Sequence, residues 1–426
     1  MLTTTAVEEA IDIRGRLIPY DYSGYEASDR HALSRTSRSS SQRSLSLTPA
    51  AKQCLRNYRQ PYRGFTANGH VIPNLWEADT DARGPTKAMV VAAQQLLSIA
   101  SSREKQQFRH LITAREWRSW SNPEVSLNER AGTSLPCSLS QVITIDSGLR
   151  VMDMSQGTKD AVLELLETSL SAQGYEKVQN AMSTDMYADS YQFCMFGEPT
   201  VKAPWGFNLF GRNVCLNVFT LDGELVVGPF LIGVERIDQG VPFGASTEVL
   251  EAEKAAGMIL IESLNPDQRH HANLYGDFES SICDPSDPRN VGGPYQDNRV
   301  VPYKGVCATE LDLKQQQMLL GIVRTFNKLL PAPALDLMME RVEKHLDETY
   351  FCWDGSADGN LPFYYRIQSP VVLNEVSNLA GSSSWDELPQ TSRLTAIQRL
   401  PNRGDYGAAL LDHWIRRVHA NIKHKH

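Results

Sequence analysis

The chain contains no G-x-G, which removes the signature of a dinucleotide-binding turn and of a kinase glycine loop. It also lacks G-x-x-x-x-G-K-[ST], the G-x-S-x-G nucleophile elbow and H-E-x-x-H. No C-x-x-C pair occurs, and the seven cysteines are scattered without short spacings. That pattern suits free thiols in a reducing compartment rather than a thiolate zinc site or a disulfide framework. There is no Asn-x-Ser/Thr sequon. No apolar run approaches the roughly 18 residues of a bilayer-spanning helix. The opening MLTTTAVEEAIDI has two glutamates and no basic stretch, so no secretory signal is predicted.

What is present describes an ordinary globular chain of 426 residues, 41% hydrophobic and 22% charged. Its 42 basic and 50 acidic side chains leave a net charge of −8. An acidic balance argues against a nucleic-acid partner, whose phosphates need a basic surface. The expectation is a cytoplasmic chain with no membrane and no nucleic-acid partner, either a monomer or a homo-oligomer.

Residues 28–50 hold eight serines and four arginines among few apolar side chains. Such a stretch buries too little to offset its ordering entropy and is predicted to be mobile. We place residues 1–84 in an N-terminal extension and 85–426 in one large domain. Within that domain Met89, Val90, Ala93, Leu96, Leu97 and Ala100 recur at helical spacing, predicting a helix from Pro85 to about His110. Thr158 is the expected cap of a second helix, with Gly174 at its end. Val214–Val218 alternates, Asp222-Gly223 supplies a turn, and Leu225–Ile232 returns, which predicts a β-hairpin. Further helices are expected at 246–264, 311–330, 335–348 and 408–420, and strands at 363–376 and 393–400. No internal repeat is visible. The fold class is α+β, with a mixed or mainly antiparallel sheet packed with helices.

The candidate site residues are polar groups on apolar strands. Arg212, Asn213 and Asn217 surround the first hairpin strand, just after Trp205 and Phe207. Along the F-Y-Y-R-I-Q run, alternation places Phe363, Tyr365 and Ile367 on one face and Tyr364, Arg366 and Gln368 on the other. Glu375 is read as lying on the same long strand, with Arg399, Asp405 and Tyr406 after the next. Trp353 and His413 complete the set. Read functionally, Arg212, Arg366 and Gln368 polarise an oxygen while Glu375 or Tyr365 moves a proton. Trp205, Phe207, Asn213, Asn217, Trp353, Tyr364, Arg399 and His413 then bind a largely apolar substrate with a few oxygens. The other reading of these residues is a solvated sheet face.

The stretches 204–219 (PWGFNLFGRNVCLNVF), 294–306 (PYQDNRVVPYKGV), 349–355 (TYFCWDG), 363–375 (FYYRIQSPVVLNE) and 399–407 (RLPNRGDYG) resemble the fungal branch of the family known as domain of unknown function 3500. The resemblance covers roughly residues 85–420. It implies two histidine-rich blocks after the glutamate, but this chain has Ser377–Gly381 and Arg393–Gln398 there, without a histidine. If those histidines serve metal chemistry in the family, this chain has lost it. We therefore expect no metal and no other cofactor. The expected function is a cofactor-independent step of fungal specialised metabolism on a polyketide or terpenoid: dehydration, isomerisation or pericyclic closure, most sharply a hetero-Diels–Alder-type cyclase. The alternatives are a metal-dependent hydrolase or oxidase, with His413, Glu375 and Asp405, and a non-catalytic binder of a hydrophobic small molecule.

Overall fold

Helical spacing, alternation and turn chemistry place the elements of this computed structural model, which describes residues 49–78, 84–121, 148–184, 191–235, 249–274, 289–357, 361–378 and 393–423. The helices and strands of the first half are α1 (Pro49–Arg59), α2 (Thr86–Ile99), α3 (Ser102–Phe108), β1 (Arg109–His110), β2 (Leu149–Arg150), α4 (Gln156–Ser169), α5 (Ala172–Ser183), β3 (Gln192–Gly197), β4 (Trp205–Phe210), β5 (Val214–Leu221) and β6 (Glu224–Glu235). The second half has α6 (Glu251–Ser263), α7 (Pro266–Ala272), β7 (Val306–Cys307), α8 (Leu313–Asn327), α9 (Ala332–Glu343), β8 (Tyr350–Gly355), β9 (Phe363–Gln368), β10 (Leu373–Ser377), β11 (Arg393–Arg399) and α10 (Ala408–Lys423). The strands form one sheet in the order β1-β3-β4-β5-β6-β11-β10-β9-β8-β7, with β2 also paired to β3. Among the described strand pairs only β1 with β3 is parallel. This is the expected α+β class with a mixed, mostly antiparallel sheet.

The β5–β6 hairpin forms as predicted. Asp222 and Gly223 take φ of 48° and 95°, the left-handed pair that a two-residue turn needs. Other expectations are corrected. The helix from Pro85 stops at Ile99, because Ser101 caps a new helix in a reciprocal box with Glu104. Ser155, not Thr158, caps α4, and Gly174 lies inside α5, where a Cβ would run into Leu329. The helices expected at 246–264 and 335–348 are 251–263 and 332–343. The strand expected over 363–376 is two antiparallel strands. Ser369 takes the N–H groups of Val371 and Val372 on its hydroxyl, and Pro370 cannot extend a ladder. The turn puts Glu375 directly opposite Arg366.

The architecture repeats. Each half contains, in order, a long helix, a short helix, a short strand with a 3-10 turn, two helices and a four-stranded meander; the first half adds β1 and a 3-10 turn at 115–118, the second a 3-10 turn at 346–348. The long helices α2 and α6 have 14 and 13 residues, and α3 and α7 have 7 each. Both short helices open on a capping box, Ser101/Glu104 and Asn265/Gln268. Gly148 and Gly305 precede β2 and β7 at φ of 96° and 107°, and a Cβ on either would strike the carbonyl of Phe193 or Phe351. Phe193-Cys194 and Phe351-Cys352 occupy the same places in β3 and β8, and Gly197 and Gly355, both at positive φ, close those strands. Even the short parallel contact recurs, as Arg109 opposite Met195 and Asn273 opposite Trp353.

Register locates the relating axis. Leu216 pairs with Phe230 in the first half and Asn374 with Gln398 in the second. Phe230 and Gln398, equivalent by this match, pair with each other across β6 and β11. Equivalent residues meet in this way on a two-fold axis, so the halves are related by a pseudo-two-fold through the sheet centre.

One sheet face carries the helices. There Phe108 meets Phe193, Phe230 meets Phe326, and Tyr365 packs against Gly257. The other face is covered by segments 57–76, 111–121, 289–305 and 400–407, with Trp117 stacked on Phe196 and Gly407 against Phe219. Residues 49–78 of the N-terminal extension belong to this cover: Tyr62, Phe65 and Trp76 are buried. The stretch predicted to be mobile lies outside the described residues apart from Pro49 and Ala50. No helix among the described residues is long and apolar enough to cross a membrane.

Candidate functional site

Alternation along β9, β10 and β11 brings Tyr364, Arg366, Gln368, Glu375 and Arg399 to the loop-covered face, all buried. Arg399 is the hub. Its Nε donates to the Gly292 carbonyl at 2.7 Å and its Nη2 to that of Gly293 at 2.9 Å. Its Nη1 donates to Asp297 Oδ1 at 2.8 Å and to Asp405 Oδ2 at 3.1 Å. Phe65 and Trp120 lie over the guanidinium, each ring centre 5.1 Å away. Aromatic faces attract such a cation and exclude water from it.

The two carboxylates on Arg399 have unequal surroundings. Asp297 also accepts from Arg118 Nε at 2.7 Å and from the Tyr406 hydroxyl at 2.8 Å. Burial pushes its carboxyl up, but the guanidiniums of Arg118 and Arg399 outweigh that and hold it below the ordinary carboxylate range. Asp405 accepts the Leu400 N–H at 2.7 Å and otherwise has one arm of Arg399. Burial drives it up to about 7, against the pull of Arg399 and with Asp297 adding to the rise. The same burial, with Asp297 next, raises the Tyr406 phenol well above its usual value, and Trp120 Nε1 donates to its oxygen at 2.7 Å.

A second group adjoins this hub. Glu375 accepts the N–H groups of Val291 at 2.9 Å and Gly292 at 2.7 Å, and the Tyr364 hydroxyl donates to it. Arg366 Nη1 lies 3.5 Å from that hydroxyl oxygen. The Val291–Gly293 strap therefore gives its amides to Glu375 and its carbonyls to Arg399. Only glycine fits at 292, where a Cβ would sit 2.9 Å from Glu375 Oε2 and 3.1 Å from Arg399 Cγ. Beside it, Arg289 Nη1 stands 3.5 Å from Asp354 Oδ2, and Ser377 donates to Asn290 at 2.9 Å.

Backbone strain concentrates here. Five of the eight non-glycine residues at positive φ among the described residues are Asn290, Tyr295, Asn402, Arg403 and Tyr406. All five lie in the two loops that flank Arg399. Asparagine tolerates this region; arginine and tyrosine pay about 1–3 kcal/mol for it.

The remaining candidates lie elsewhere. Tyr365 points to the helix face and donates to the Glu253 carbonyl at 2.7 Å. Trp205 donates to the Thr200 carbonyl, Phe207 packs on Phe193, and Trp353 stacks between Phe363 and Tyr365, all on that face. Asn213 holds the end of α5 through Ala181 and Thr184. The Arg212 carbonyl accepts from Arg393 at 2.7 Å. Asn217 is on the loop face but in the first half, bonded to Pro229 O. His413 is exposed on α10. Sequence reasoning missed Arg118, Trp120 and Asp297. The only signal for them was aromatic and arginine density in R-E-W-R-S-W (115–120), and Asp297 within one of the family-like blocks.

A family model described as "Protein of unknown function (DUF3500)" matches residues 82–408. The match spans well over half of the sequence, and the chain belongs to that family. No curated protein and no solved structure matches it.

Proposed function

We propose that the chain is an enzyme that moves protons without a redox cofactor on a small, largely apolar, oxygen-bearing molecule, with Asp297 and Asp405 on Arg399 as its acid–base centre. One observation carries this reading: two buried carboxylates share the Arg399 guanidinium, Asp297 with a second guanidinium and a phenol beside it, Asp405 with a single backbone N–H. Such a split assigns a charged partner and a proton-exchanging partner. Asp405 is the group that holds or releases a proton near neutrality; Asp297 stays charged and holds Arg399 and Tyr406 in place. Strained loops around the centre support the reading, because strain of this kind clusters at functional sites. Dehydration and isomerisation are proton transfers and fit directly; a hetero-Diels–Alder-type cyclase of fungal specialised metabolism, the sharpest member, fits where a dehydration at this centre, losing water, generates the diene that then closes. The cytoplasm is the proposed compartment, in keeping with the free, buried thiols of Cys54, Cys194, Cys215, Cys307 and Cys352.

A second reading is favoured by the sealing of the centre. Arg399 and Asp405 have fully buried side chains, and those of Arg118 and Asp297 are 1% and 2% exposed. An ionic clamp that fixes the cover segments to the sheet would look the same, and on the first reading the 289–305 segment must lift to admit substrate. The experiment is to collect the compound that accumulates when the gene is deleted, and to assay it with wild type and Asp405→Asn. An enzyme loses turnover by about tenfold or more at an unchanged melting temperature. Equal activity per folded molecule, or no accumulating compound, would leave only the clamp.

A further inference from the structure

The pseudo-two-fold supplies an internal control for the charges on β9 and β10. Arg366 and Glu375 face each other in register, and so do Asn208 and Asn217 in the first half. The two pairs are equivalent. Cys352 lies beside Arg366 in the ladder as Cys194 lies beside Asn208. All four polar residues are at most 2% exposed on the same sheet face. In the first half two amides stand there: Asn208 Nδ2 lies 3.4 Å from Asn217 Oδ1, and Asn217 Nδ2 donates to the Pro229 carbonyl at 2.9 Å. The scaffold therefore builds this position without charge. Placing an arginine and a glutamate there costs desolvation of both ions, a cost the other half of the same sheet avoids.

We infer that Arg366 and Glu375, with Tyr364, are a positioning pair for the Arg399 centre, introduced at only one of two equivalent places in a duplicated fold. The connection is short: two hydrogen bonds joined through one residue. Glu375 holds the Gly292 N–H at 2.7 Å while Arg399 holds the carbonyl of the same residue at 2.7 Å. Arg366 and Tyr364 in turn fix Glu375 from the sheet side. Loosening Glu375 shifts the strap, and with it the guanidinium arm shared by Asp297 and Asp405. Asp405 is faced by Arg399 from β11, Asp297 from the strap segment, Tyr62 from the N-terminal cover and Tyr406 from its own turn, with Arg118 and Arg403 beyond them. Of these, Arg399 and Asp297 are reached from Glu375 through the strap.

This inference rests on the acid–base reading of Asp405, and the test separates the two. The full chain is labelled at aspartate carboxyl carbons, and Asp405 is followed by NMR against pH in wild type and in Arg366→Asn/Glu375→Asn, which copies the first-half amides. The double variant should melt within a few degrees of wild type, with the Asp405 midpoint moved by about half a pH unit or more. A double variant that fails to fold, or melts no higher than the worse of its single variants, shows a structural pair and overturns the inference. A stable double variant with an unmoved midpoint overturns it as well. Glu375→Gln, which keeps an acceptor for the strap, provides a milder second case: its midpoint must move in the same direction. If Asp405 does not titrate near neutrality in wild type, the acid–base reading itself has failed, a different outcome from an unmoved midpoint.

Discussion

Asp297 and Asp405 look alike in the sequence and differ in what removing their charge should do. Asp297 balances two guanidiniums, so Asp297→Asn leaves buried positive charge uncompensated and should cost about 3–5 kcal/mol. Asp405→Asn keeps an acceptor for the Leu400 N–H and replaces a carboxyl that burial already drives towards its neutral form. Its cost should stay within about 1 kcal/mol. Urea unfolding of the two variants checks this; similar losses would mean that both carboxylates are fully charged partners. Residue types on the strands were readable in advance, and alternation placed Tyr364, Arg366 and Gln368 together correctly. It could not say that Arg399 would be held by peptide carbonyls from a loop some hundred positions away. Long-range hydrogen bonds leave no local periodicity.

At the scale of elements, turn chemistry decided what could be foreseen. Asp222-Gly223 announced its hairpin, whereas Ser369-Pro370 was passed over because apolar residues continue on both sides of it. That omission hid the pairing of Glu375 with Arg366. Capping was harder to read: Thr158 was taken for the cap that Ser155 provides, since either hydroxyl can cap and only the preceding backbone separates them. Gly148 and Gly305 serve the same purpose in their halves. Gly148→Ala and Gly305→Ala should therefore each destabilise by more than about 1 kcal/mol, through positive φ and contact with the neighbouring carbonyl. Thermal melting of both variants tests the equivalence, and a neutral result for either would break it.

The duplication was invisible in the sequence because two helical layers and two meanders need only matching patterns of burial, not matching residues. Equivalent strands read W-G-F-N-L-F and F-Y-Y-R-I-Q, with no identity. What persists includes backbone demands, such as Gly148 with Gly305 and Gly197 with Gly355, the Phe-Cys pairs, and scattered core positions such as Val218 with Val376.

Stability against pH belongs to the same scale. Burial works against the charge of Glu104, but the Ser101 hydroxyl and the N–H groups of Ser155 and Ser101 hold it at about 2. Asp297 is likewise depressed. Both groups stabilise the fold above their unfolded values of about 4 and lose that contribution as pH falls through the folded values. Asp405 has the opposite sign: its folded value of about 7 is raised, so its contribution is complete below about 4 and is lost as pH rises through about 7. The melting temperature should climb from acid to about pH 5 and then decline towards about pH 8. The decline should be absent in Asp405→Asn; its persistence there would assign it to another group.

The claim that the Arg399 centre holds one charged and one proton-exchanging carboxylate is tested most directly by the carboxyl NMR titration of the unaltered chain. Asp405 is assigned by the signal missing in Asp405→Asn, and Asp297 by that missing in Asp297→Asn. The account predicts a midpoint of about 7 for Asp405 and an Asp297 signal that stays ionised down to acid pH. Two carboxylates titrating together in the ordinary range, or Asp405 ionised throughout, would contradict it.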